Sequence, residues 1–217
     1  MAYKFEINPD YKVTKIPLIG DDNFMFVVDD ILLAPEAVVE FSRDRAYFDP
    51  VGADGTFYPG IRDLMPAAYG RAMLEVIEPL VSKEYFWGDE LITTDPVCKL
   101  SLVTLKPEQL ADEQRVPHVD SSSDNEFALV HYFCSESHGG TSLYRYMPSG
   151  QVKIEGDYLS LMREMVAAAK ASKGEHEGYM TGSTSLFERV GQVAAKFNRL
   201  VLYRSNLLHS ADIKQPE

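Results

Sequence analysis

The sequence predicts an α+β fold in which helices brace a dominant antiparallel β core. Strand-like runs with a two-residue period fill the second half of the chain, and two helical patterns precede them. Many short strands with helices mostly before them are typical of a β-sandwich or barrel braced by helices. The composition, 45% hydrophobic and 25% charged, is that of an ordinary folded soluble protein.

The N-terminal part, about residues 1–95, supports this core. Its predicted elements are a strand over 23–32, a helix over 33–46, a turn over 58–63 and an amphipathic helix over 65–86. Pro35 suits the first turn of the first helix. The second helix has an apolar stripe at Met73, Val76, Ile77 and Leu80, and Pro79 predicts a kink or a division in it.

The core is predicted over residues 97–213. Its strand-like runs are 97–105, 126–134, 141–147, 199–205 and 207–213, and a helical insertion at 157–172 interrupts them. No repeat and no long Pro/Gly/Ser linker divides the chain, so we expect one domain over 1–217. The insertion is a candidate lid or homodimer contact.

Charge and hydropathy exclude several classes of protein. The net charge of −12 disfavours nucleic acid as a partner, because a negative surface repels phosphate. The first residues lack a signal-peptide core, and no apolar run approaches the roughly 18–20 residues of a membrane span. Cys98 and Cys134 suit two free thiols in a reducing cytoplasm. We therefore expect a cytoplasmic protein.

A histidine and an aspartate stand two residues apart in RVPHVDSS, residues 115–122. On a strand, His118 and Asp120 would point to the same face and could bind one metal ion. His209, carried by a later strand, is the candidate third ligand. Two histidines and one carboxylate on one face of an octahedral ion leave three positions open, as in non-haem Fe(II) oxygenases. A polar turn and a core histidine are the structural alternatives.

Four segments, taken in order, resemble the iron(II)/2-oxoglutarate dioxygenase superfamily near the prolyl hydroxylases. They are FVVDDILLAPEAVVEFS, SLVTLKPEQLADEQRVPHVDS, ALVHYFCSESHGGTSLYRY and FNRLVLYRSNLLHSADI. They are similar to the family's entry strand and helix, the strand leading into its H-x-D motif, its next strand pair and the strands ending in its distal histidine. The resemblance spans roughly residues 24 to 213.

This resemblance implies a double-stranded β-helix, or jelly roll, with His118, Asp120 and His209 as Fe(II) ligands. It implies an oxygenase, a hydroxylase in type, that uses 2-oxoglutarate and O2 on a small molecule, an amino acid or a peptide side chain. Two alternatives remain open. One is a cupin-like metalloprotein that does not use 2-oxoglutarate, and the other is a non-enzymatic small-molecule binding module.

The family usually places a basic residue beyond the distal histidine to pair with the far carboxylate of 2-oxoglutarate. After His209 the sequence offers only Lys214, which lies too close to it. Arg204 and Arg145 each interrupt an apolar strand face, so either is a candidate anchor. Tyr132 is a candidate to donate its hydroxyl to the same carboxylate, and core packing is the alternative for it.

Three further residues complete the prediction. His131 alternates with apolar residues and should be internal and hydrogen-bonded, whereas His176 lies in a polar loop and should be solvated. Arg115 stands close enough to His118 in sequence to contact a substrate anion.

Overall fold

The computed structural model of the chain describes residues 3–86, 96–172 and 174–214. Within these ranges the fold is α+β and mainly β, as predicted, with every strand pair antiparallel. The strands are β1 (Lys12–Pro17), β2 (Phe24–Asp29), β3 (Gly60–Leu64), β4 (Lys99–Val103), β5 (Phe127–Tyr132), β6 (Gly139–Tyr146), β7 (Phe187–Ala194), β8 (Arg199–Arg204) and β9 (His209–Ile213). The helices are α1 (Glu36–Arg45), α2 (Ala67–Val81) and α3 (Tyr158–Ala171).

The large sheet has the order β1-β2-β8-β5, and its two faces pack against different layers. Side chains alternate along β8, so Val201 and Tyr203 point to one face and Leu200 and Leu202 to the other. The second pair packs in the helix-side core, which contains the buried face of α2. The predicted stripe of α2 is therefore confirmed as a packing surface.

The helix α2 continues through Pro79 as far as Val81 and is followed by a π-helical turn at Ser82–Phe86. The predicted disruption therefore lies just after the proline rather than at it. The helix α1 follows Pro35 at its N-cap, and α3 occupies the predicted insertion.

The small sheet has the order β7-β6-β9 and faces the large sheet. An inner core fills the space between the two sheets. Its buried members are Leu18, Met25, Val27, Ala128, Leu143, Val152, Val190, Val193, Val201, Tyr203 and Leu207. A β-bridge between His118 and His209 extends the small sheet beyond β9. The edge of this sheet thus carries two of the predicted metal ligands.

Three strands depart from the sequence prediction. Residues 58–63 were predicted as a turn, but Gly60–Leu64 is the strand β3, paired with β4. A Cβ on Gly60 would lie 1.8 Å from the backbone oxygen of Leu102, so this close pairing requires glycine. The strands β1 and β7 were not predicted. The residues of β1 are almost all exposed and show no apolar alternation, whereas β7 mixes charged residues and a glycine with its apolar positions.

A third cluster joins α3 to the segment that carries His118. Val116 and Val119 pack there with Met165 and Ala169 of α3. Cys98 and Cys134 form no disulfide bond with each other, as predicted. Among the helices of the described ranges, none is long and apolar enough to cross a membrane.

Candidate metal centre

Backbone pairing brings the two predicted histidines together. The amide of His118 donates to the carbonyl of His209, and the amide of His209 donates back, each at 2.8 Å. Directly paired residues on adjacent strands point to the same face, so the two imidazoles lie side by side. Their ring centroids are 4.3 Å apart.

Asp120 completes the triad. Its amide donates to the carbonyl of Ser205 at 3.0 Å, which fixes the backbone just after the bridge. One carboxylate oxygen lies 3.6 Å from Nε2 of His118, and the other lies 3.6 Å from Nε2 of His209. One ligand atom from each residue falls within 4.8 Å of the other two. This is the single group of its kind among the described residues. The triad could therefore hold a metal ion.

The spacing is close to that of a bound ion. Metal bonds of about 2.0–2.2 Å to nitrogen and oxygen place adjacent ligand atoms about 3 Å apart in octahedral geometry. The two carboxylate–imidazole distances of 3.6 Å exceed this by less than 1 Å. Small side-chain rotations can close that difference.

Surrounding groups orient His209 for coordination. Its Nδ1 lies 2.9 Å from the carbonyl of Leu207, and a carbonyl can only accept, so Nδ1 carries the proton. The lone pair is therefore on Nε2, the atom that faces Asp120. The ring of Tyr203 packs against the imidazole at a centroid distance of 4.9 Å. Such an outer hydrogen bond fixes the tautomer and the ring position of metal-binding histidines.

The electrostatics of the site favour neutral His118. Partial burial lowers the pKa of His118, a positive charge on the neighbouring His209 would lower it further, and Asp120 opposes both effects. An imidazole must be unprotonated to bind a metal, so the lowered pKa prepares His118 for coordination. The side chain of His209 is buried, whereas those of His118 and Asp120 are 43% and 53% exposed. The triad thus opens to solvent on one side.

Comparison with known proteins identifies a family without an assigned activity. The model of a family described as a family of unknown function (DUF6445) matches residues 9–217. The chain belongs to the DUF6445 family. No curated protein and no solved structure matches it.

In this member of the DUF6445 family, Arg204 is not one of the residues that the structure brings to the triad. Arg204 shares the helix-side face of β8 with Leu200 and Leu202, as its sequence position indicated, but this face is turned away from the inner core. Its guanidinium donates to the backbone oxygen of Asp124 at 2.7 Å and lies over the ring of Tyr85 at 4.6 Å.

Arg145 is also engaged elsewhere. It pairs with Glu188 across β6 and β7 and donates to the backbone oxygens of Ile19 and Gly20 at 3.2 and 2.9 Å. A register shift between Leu143 and Tyr144 changes the alternation of β6 just before it. Sequence alternation alone could not reveal this bulge.

Tyr132 packs against the inner core, and its hydroxyl is hydrogen-bonded to that of Thr141. Thr141 lies two residues before Leu143, which is paired directly with His209. Burial raises the pKa of Tyr132, so the hydroxyl stays protonated.

Sequence reasoning overlooked Arg199. It shares the inner face of β8 with Val201 and Tyr203, but it binds both carboxylate oxygens of Asp29, at 2.7 and 2.9 Å. Its hydrogen bond with Asp29 is the main effect that lowers the pKa of that carboxyl. The signal was available, because Arg199 alternates with Val201 and Tyr203 in the sequence.

Of two further histidines, His131 confirms its prediction and His176 contradicts it. His131 is internal and hydrogen-bonded, with Nδ1 2.7 Å from the hydroxyl of Tyr69 and Nε2 3.3 Å from the side-chain oxygen of Asn198. His176, predicted to be solvated, is only 8% exposed and lies against the ring of Phe187. Its polar sequence neighbours conceal this burial.

Proposed function

We propose that the protein is an Fe(II)-dependent oxygenase that uses 2-oxoglutarate and hydroxylates a small molecule, an amino acid or a peptide side chain. The observation that carries the proposal is the convergence of His118, Asp120 and His209. Two neutral nitrogens and one carboxylate suit Fe(II), and the exposed side of the triad leaves room for further ligands. The net charge of −12 argues against a polyanionic substrate.

The strand pairing supports a double-stranded β-helix as the finer description of the fold. Pairs nest within one another along the chain, from His118 with His209, through Phe127 with Arg204, to Tyr146 with Phe187. Successive pairs belong alternately to the small and the large sheet. Nested antiparallel pairs that alternate between two facing sheets are the pattern of a jelly roll.

The side chains of the triad have separate roles in this proposal. Iron bound there would activate O2 for hydroxylation of a C–H bond. His118 and His209 supply neutral donors through Nε2, and Asp120 supplies the negative charge. Leu207 and Tyr203 hold the imidazole of His209, and the apolar inner core beneath the site excludes water from one side.

The cosubstrate requires hydrogen-bond donors for its carboxylate groups. In the described part of the chain, Tyr132 and Thr141 offer hydroxyls to a carboxylate on the inner wall. Arg199 on that wall is held by Asp29, and neither Arg204 nor Arg145 is free of protein partners. These pairings favour the second candidate, a cupin-like metalloprotein that does not use 2-oxoglutarate.

Thermal unfolding separates these candidates. We expect Mn(II), used in place of Fe(II), to raise the melting temperature, and 2-oxoglutarate or N-oxalylglycine to raise it further. A rise with metal alone would favour the cupin-like protein, and no rise would favour the non-enzymatic binding module. His118→Ala should abolish the metal effect, whereas His138→Ala, which replaces a histidine outside the triad, should retain it. Succinate release with Fe(II), O2 and 2-oxoglutarate tests turnover directly.

A further inference from the structure

A pocket beside α3 contains buried polar groups that the metal centre does not use. It has a volume of about 370 Å³ and lies between the C-terminal half of α3, the short helical turn at Asp112–Arg115 and the loop after α3. Small-molecule pockets have volumes of roughly 300–1,000 Å³. The size of the pocket therefore suits a small ligand.

His176 lines this pocket, and its ring forms no hydrogen bond with the residues that the structure describes. The side chain is buried, and neither ring nitrogen has a hydrogen-bond partner among the described residues. The backbone of Arg115 approaches the ring but does not reach hydrogen-bond geometry. An imidazole carries at least one N–H donor, and a buried donor without an acceptor costs free energy. The ring is thus prepared for a partner that the described residues do not supply.

Arg115 lines the same pocket, and one of its nitrogen atoms also has no hydrogen-bond partner among the described residues. Its Nε is buried, and within the described ranges Nε has no hydrogen-bond partner and the guanidinium forms no ion pair. Asp112 lies nearby, but its carboxylate is held by Lys170 at 2.7 Å. Glu177, the other acid of the lining, is exposed. A guanidinium is always charged and only donates, so it requires acceptor oxygens.

We propose that Arg115 and His176 bind a small oxyanion, either a carboxylate or a phosphate, in this pocket. Two donors facing one cavity match an acceptor-only group, and a guanidinium suits the planar arrangement of such oxygens. Val166 and Ala169 of α3 line the same cavity and contact the apolar part of the ligand. The site requires no metal and is independent of the proposed oxygenase function.

Calorimetric titration of the metal-free full chain with butyrate and with inorganic phosphate tests this site. We expect saturable binding of at least one probe. Arg115→Gln and His176→Gln should each weaken it at least about tenfold, the loss of one charge-assisted hydrogen bond. Arg163→Gln is the matched control, because Arg163 is an exposed residue of α3 outside the pocket lining. Its affinity should stay within about twofold of the parent's.

Proton NMR of the imidazole locates the binding. The ring signal of His176, assigned by its absence in His176→Gln, should shift with the same saturation curve. Tighter binding of butyrate would indicate that the natural ligand is an organic acid, and tighter binding of phosphate would indicate a phosphate ester. Either result supports the oxyanion site. The proposal is overturned if neither probe saturates, if the ring signal does not move, or if both folded variants bind like the parent.

Discussion

At the residue scale, the face of β8 on which an arginine lies determines which groups it can contact. Arg199 shares the inner face with Tyr203, which contacts His209, whereas Arg204 shares the helix-side face with Leu200 and Leu202. An arginine on an apolar strand face indicates a buried partner, but alternation does not say which side of the sheet is the inner one. The sequence therefore predicted the three residues that converge in the triad and not the residues around them.

The carboxylate of Asp120 should dominate metal affinity. Asp120→Asn keeps the size of the side chain and removes the charge that lies 3.6 Å from each imidazole. We expect the affinity for Mn(II) to fall by more than about 100-fold. Loss of a residue that only supports a metal ligand already costs up to about 100-fold, and Asp120 is proposed to bind the metal directly. Calorimetric titration measures it, with Asp10→Asn at an exposed position as the control. Equal affinity for Mn(II) in the two variants would show that Asp120 is not a metal ligand.

The partly buried His131 should make stability depend on pH. Burial lowers the pKa of His131 to about 4, and the hydrogen bond with Asn198 opposes the decrease. Between the ordinary value of 6.5 and 4, the unfolded state binds more protons than the folded state. This contribution to stability is therefore complete above pH 6.5 and decreases, by at most about 1.4 kcal/mol per pH unit, as the pH falls toward 4.

Urea unfolding at pH 7 and pH 4.5 checks this effect. His131→Gln keeps a polar group beside Tyr69 and Asn198 but does not titrate. We expect its free energy of unfolding to change less over this range than that of the parent. The same change in both proteins would show that His131 does not titrate in this way.

At the element scale, strands with a clear apolar run could be predicted, whereas β1, β3 and β7 could not. The sequences of β2 and β8 are almost continuously apolar, because both faces of their sheet are buried, and these strands were found with nearly correct limits. β1 lies at the edge of its sheet with little burial, so it lacks the apolar pattern that marks a strand. β3 was concealed by its glycine, which tertiary pairing requires. Helices with a clear apolar stripe were predicted well.

The start of β6 depends on a glycine. Gly139 has a φ of +124°, and a Cβ there would lie 1.5 Å from the backbone oxygen of Asp212 on β9. Gly139→Ala should therefore destabilise the protein by several kcal/mol and weaken metal binding, because β9 carries His209. Gly150→Ala is the control, since Gly150 has a positive φ but open space around it, and should cost only about 1 kcal/mol. Similar losses of stability in urea would contradict this account.

At the scale of the whole molecule, the candidate metal site joins remote segments. His118 and Asp120 precede β5, whereas His209 begins β9, so a bound ion would link the two ends of the nested strand pairs. The order of motifs along the chain was enough to predict this convergence. The burial of His176 and the partners of the arginines depend on packing between distant elements, which local patterns do not encode.

Metal should therefore stabilise the whole chain. At free Mn(II) 100-fold above its dissociation constant, we expect the free energy of unfolding to rise by about 2.7 kcal/mol. Denaturant unfolding with and without Mn(II) measures the difference, and His209→Ala should show none. A rise of the same size in His209→Ala would mean that the ion binds elsewhere.

Anomalous diffraction from crystals grown with Fe(II) under anaerobic conditions, recorded at the iron edge, tests the central claim most directly. The account predicts one strong peak within about 2.3 Å of Nε2 of His118, Nε2 of His209 and a carboxylate oxygen of Asp120. A fully loaded crystal with its peak elsewhere, or with no peak between these three side chains, would contradict it.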